Sequence, residues 1–142
     1  MQTSGVDPET LIGDRLVGVT IGWHVLGSER RPVLYFLRFA SGFVKVRTEG
    51  SGAIGFWNEA PPSDFDMEQY GRFEFSDADA RGPFGPLLGS PILGVDSIRW
   101  RGAEVGVRLV GDGALVAIAN EGDEVFISSG NLPPDYDDAT IV

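Results

Sequence analysis

The chain has 142 residues, enough for one well-filled core and few for two. Hydrophobic residues make up 42% and charged residues 23%, a globular balance. The net charge of −10 argues against the clustered Lys and Arg that contacts to nucleic acid or an anionic membrane need, and the absence of cysteine excludes disulfides and thiolate metal sites.

No apolar run reaches the ~18 residues that cross a bilayer, and Met1 to Pro8 lack a basic stretch followed by an apolar core, so a cytoplasmic location is expected. Leu11-Ile12 opens the first strand region, and strands are predicted near 15–24, 33–40, 43–48 and 53–58. The reason is period-two alternation: Val33, Tyr35, Leu37 and Phe39 share one face, and Val44 and Val46 continue it. Ser41-Gly42 and Glu49-Gly50 supply the turns between them. Residues 67–88 form a loop-rich insert, with one helical turn at Met67 to Tyr70, an edge strand at Arg72 to Phe75, and a loop through Gly82-Pro83-Phe84-Gly85-Pro86. A second set of strands follows near 92–100, 104–110, 114–119 and 124–128, with Val105, Val107 and Leu109 facing the core as their counterparts do.

The two sets are copies. Gly13 to Val19 overlays Gly89 to Val95 at an offset of 76, Leu37-Arg38-Phe39 matches Val107-Arg108-Leu109, and Asp64-Phe65-Asp66 matches Asp135-Tyr136-Asp137. The largest length change falls in a turn, where Leu26 to Pro32 is replaced by the short Arg101-Gly102-Ala103. One four-stranded unit alone would leave an apolar face and two edges in water. The expected fold is therefore all-β, a β-sandwich or partly open barrel of two pseudo-symmetric antiparallel four-stranded units in a single domain, with repeats over about 11–66 and 87–138.

Few residues suggest chemistry. The Asp64/Asp66 and Asp135/Asp137 pairs present two carboxylates on one side of an extended segment, but they lack the glycine and spaced oxygen ligands of a calcium loop, so no metal and no cofactor is expected. His24, the single histidine, has no nucleophile elbow to serve and reads as structural; no enzyme activity is expected. Gly50-Ser51-Gly52 and Gly111-Asp112-Gly113 are turns, since no Lys-Ser or Lys-Thr follows them. Trp23, Trp57 and Trp100 are the anchors to weigh for a partner, and in Phe56-Trp57 one ring must lie outside the core, where the 67–88 insert is expected to cover it.

Glu121, Asp123 and Glu124 form an acidic cluster that the first copy lacks. Trp57, Glu121, Asp123, Glu124, Asp135 and Asp137 are accordingly the expected partner-binding residues of a soluble protein-binding module, an acidic inhibitor of the kind immunity proteins represent, masking a basic protein partner. A small-ligand or carbohydrate-binding module, marked by an exposed Trp beside carboxylates, and a structural oligomer subunit are the competing readings.

Overall fold

The computed structural model describes residues 5–49, 51–79, 81–129, 136 and 140–141; Asp135, Asp137 and the diproline at 133–134 lie outside them. The first sheet is built from β1 (Leu16–Leu26), β2 (Glu29–Phe39), β3 (Gly42–Thr48), β4 (Ile54–Trp57), β5 (Phe65–Asp66) and β6 (Arg72–Asp77), in the order β4-β3-β2-β1-β6-β5. The second contains β7 (Gly94–Trp100), β8 (Ala103–Gly111), β9 (Ala114–Glu121), β10 (Glu124–Ser128) and β11 (Thr140–Ile141), in the order β10-β9-β8-β7-β11. All pairings are antiparallel. The sheets pack face to face and do not close into a barrel, so the sandwich alternative is the one realised.

Tyr35, Leu37, Phe39, Val44, Val46, Ile54 and Phe56 of the first sheet meet Val107, Leu109, Val116 and Ile118 of the second in a shared buried cluster, as alternation requires. β10 lies against β2 and β3, and β4 against β8 and β9. The segments that precede each unit pack on the sandwich, the first against β7 and the second against β9. Pro8–Leu11 and Gly85–Leu87 do so as short 3-10 turns, each sinking a leucine, Leu11 and Leu87, into the core. Leu11-Ile12 is thus a turn and its exit, not the start of a strand, with Asp7 capping the Glu9 amide.

The two repeat-equivalent segments bond to each other across a local twofold. The Gly13 amide donates to the Ile92 carbonyl and the Gly89 amide to the Leu16 carbonyl, both at 2.7 Å. The Leu16 amide donates to Ser90 and the Ile92 amide to Asp14, and Arg15 bridges Pro91, its own equivalent. Each of these four backbone bonds has its mate with the roles exchanged at an offset of 76. Leu16 and Ile92, both fully buried, flank the axis.

The pairing corrects the internal alignment in three places. Leu37 opposes Val44 and Leu109 opposes Val116, so Leu37 corresponds to Leu109 and Arg108 to Phe36; the sequence match was slipped by two residues. A slip of two preserves every side chain's face, and alternation alone does not detect it. Both β1–β2 and β7–β8 close with two-residue turns, and the first hairpin is longer because its ladder has two more pairs, Val25 with Arg30 and Leu26 with Glu29. The turn before β3 is Ala40-Ser41, with Gly42 already paired to Phe39. Each hairpin keeps a bulge at the same place, skipping Val33 in one copy and Val105 in the other, and Val105 leaves the shared core for the outer face, beside Ile98 and Ala117.

The insert forms its turn at Glu68–Tyr70 and its strand at Arg72–Asp77 as expected, but β6 is not an edge: it lies between β1 and β5, because Phe65–Asp66 pairs along its far side. Its Phe73 stacks on both Phe65 and Phe75, and Phe75 packs edge-on against the buried Phe36 on the outer face. Tyr136 occupies the corresponding place on the second sheet, packed on Trp100 with ring centroids 5.0 Å apart. The aromatic of each Asp-aromatic-Asp segment therefore closes the outer face of its own sheet.

Candidate functional site

The insert does not cover Trp57. Trp57 sits on β4, at the sheet edge opposite β6, with its ring on the outer face beneath the Arg47 guanidinium at 4.1 Å. Cover by the insert was the wrong expectation because strand order places β1, β2 and β3 between the two. Glu121, Asp123 and Glu124 lie on the β9–β10 turn, docked to the other end of β4: Asn120 donates to the Ala53 carbonyl and Thr48 to the Asp123 carbonyl. Glu124 reaches across the sheets to Arg31 at 3.2 Å. Trp57 and the acidic turn are thus separate features.

Asp64 and Asp66 spend their carboxylates on the backbone, accepting from the Phe75 amide at 2.8 Å and the Glu68 amide at 2.7 Å. His24 is held by the Tyr70 carbonyl at 2.7 Å, which requires a proton on Nε2, and its ring leans on Phe73. Both arrangements are local scaffolding of the insert.

A cleft beside the acidic turn is lined by Arg31, Arg47, Asp123 and Glu124, and a more apolar one lies at the side mouth of the sandwich, next to β10. A cleft of about 440 Å³ opens there, floored by Ile21, Tyr35, Phe84 and Ile127 and walled by Trp23, Pro32, Ala78 and Pro83. Trp23 is fixed by its indole N–H donating to Ser76 at 3.1 Å and by Arg30, whose guanidinium stands 4.0 Å over its ring. Asp77 and Asp79 form the lip. Arg81 binds Asp79 at 2.8 Å and holds that carboxyl below its ordinary range. Burial, with Glu124 adding to it, pushes the Tyr35 phenol above its ordinary value.

No family model matches this chain, and neither a curated protein nor a solved structure does. The site is therefore read from its own geometry. Among the described residues no group of three or more His, Asp and Glu side chains is arranged to hold a metal, and no helix is long and apolar enough to cross a membrane.

Sequence reading named Trp23 but missed Arg30, Tyr35, Asp77, Phe84 and Ile127 as a set. Their convergence depends on how far one sheet is displaced over the other. One signal was available. At the offset of 76 that relates the segments flanking the axis, Gly5-Val6 corresponds to Arg81-Gly82. Val6 packs into the core, and Gly82 has no side chain to do the same.

Proposed function

We propose that the protein is a non-catalytic binding module and that the mouth cleft receives a segment of another protein. The observation that carries this reading is an apolar hollow at the side of the sandwich, edged by a tryptophan and carboxylates. A surplus of ten negative charges draws a cationic partner to it, as in an acidic inhibitor that masks a basic surface. Trp57, Glu121, Asp123 and Glu124 then belong to the surrounding contact surface, with the anchor in the cleft.

A photo-crosslinking residue in place of exposed Pro83, on the cleft wall, tests this in the native cell extract. Capture of one partner from position 83 but not from the Asp112 turn, weakened by salt, is expected; equal labelling from both positions overturns it. Cleft volume favours a second reading, because small-molecule sites occupy roughly 300–1,000 Å³. In that case members of a sugar and metabolite panel quench the emission of Trp23, and Trp23→Phe abolishes the response.

A further inference from the structure

The two units share one plan, and each shows what the other lacks. In the first, the edge strand β4 is covered: Gly5 bridges Trp57, the Val6 amide donates to the Phe56 carbonyl at 2.7 Å, and the Val6 side chain packs on the core. Ile127 of β10 is the counterpart of Phe56, because Val46 pairs with Phe56 and its equivalent Ile118 pairs with Ile127. The segment that would cover β10 turns away instead, the Gly82 amide bonding to the Asp79 carbonyl at 2.9 Å. Among the described residues no backbone group pairs with the outward N–H and C=O of Val125 and Ile127. The cleft stands where Val6 would stand.

We infer that this cleft binds an extended peptide by strand addition to the edge of β10, with a β-branched apolar side chain of the peptide seated between Ile127 and Phe84. The inference rests on the reading of the cleft as the binding site, and it specifies the ligand. Main-chain bonds to a free edge give affinity, and the pocket selects the side chain. Charge selects the flanks. Arg30, Arg31 and Arg81 already have carboxylate partners, whereas Asp77 on the lip and Glu121 and Asp123 at the turn have no cationic partner among the described residues. The occupant is therefore a segment with a small residue, then valine or isoleucine, between lysines or arginines.

The probe is a synthetic peptide Lys-Lys-Ser-Gly-Val-Lys-Lys, whose centre copies residues 4–6, titrated into the isotope-labelled full chain and followed by amide NMR. Resonances of Val125 to Ile127 are expected to shift while those of Gly55 to Trp57, whose edge is taken, stay still. N-methylation of the peptide valine, which removes its N–H, is expected to weaken binding by about tenfold, in line with one lost hydrogen bond. Equal binding of the N-methylated peptide overturns strand addition while leaving the cleft as a binding site. Absence of any shift at Val125 to Ile127 with millimolar peptide also overturns it. If the position-83 crosslink fails as well, the proposed function falls separately.

Discussion

Gly13→Ala and Gly89→Ala test the twofold seam most directly. The two glycines have φ of +90° and +82°, and a Cβ built on either meets nothing within 4 Å. Sterics with neighbours therefore contribute nothing, and only the backbone angle does. Holding a residue with a side chain in such a sparsely populated region costs roughly 1–3 kcal/mol, and the smaller unfolded-state entropy of alanine returns about 0.4–1 kcal/mol. Each variant should lose about 1–2 kcal/mol, a fall of roughly 3–6 °C in Tm for a chain of this size. Neither amide shares a partner with the other, so the double variant should lose the sum to within about 0.5 kcal/mol. Gly94→Ala, where no left-handed angle is needed and the nearest atom to the added Cβ is 3.9 Å away, is the control and should change little. Urea unfolding of all four proteins reads the result. A costly change at one glycine beside a neutral change at the other would refute the claim that they occupy equivalent places on an axis.

Leu16→Ala and Ile92→Ala should likewise cost similar amounts, about 2–5 kcal/mol each by urea unfolding, because both side chains are fully buried beside the same axis. Tyr35 retains its proton more tightly folded than unfolded, so its contribution is complete below the ordinary phenol value of 10.0 and is lost as pH climbs through the raised folded value; Tyr35→Phe should flatten the alkaline decline of the stability-versus-pH curve. Lys45, 2.8 Å from Glu59 with its side chain only 17% exposed, should cost about 1–2 kcal/mol on change to alanine, whereas Arg72→Ala, from an exposed pair, should cost under about 0.5 kcal/mol in the same assay. Asp64→Ala removes the acceptor for the Phe75 amide and should cost roughly 1 kcal/mol, with faster hydrogen exchange at that amide.

Strand positions were legible because a half-buried strand must alternate and a turn must contain residues that tolerate its angles. Tyr35, Leu37 and Phe39 lie where alternation put them. The repeat was legible for a similar reason, since Gly13 and Gly89 meet the same backbone demand. Register was not. Leu37-Arg38-Phe39 overlays Val107-Arg108-Leu109 equally well in residue type, and only the hydrogen-bonded ladder shows that Arg108 stands where Phe36 does. The site was the least legible part. Trp57 and the acidic turn look alike as candidates in one dimension, and the docking of that turn on the far end of β4 keeps them apart, while Trp23, Tyr35, Phe84 and Ile127 converge only after two sheets have been stacked. Local rules determine elements; the gap between elements is a property of the whole.

A seam in which each backbone bond has a mate with the roles exchanged is the contact that a symmetric pair of separate half-chains would make. In such a pair, any alteration is inherited by both halves and must be tolerated twice. Joining the halves end to end removes that constraint. One hairpin is two rungs longer than its sibling, and one border strand is covered by a described segment where its sibling is not. Asymmetry of that sort is open to a tandem chain, and here it coincides with the apolar cleft lined by Ile127.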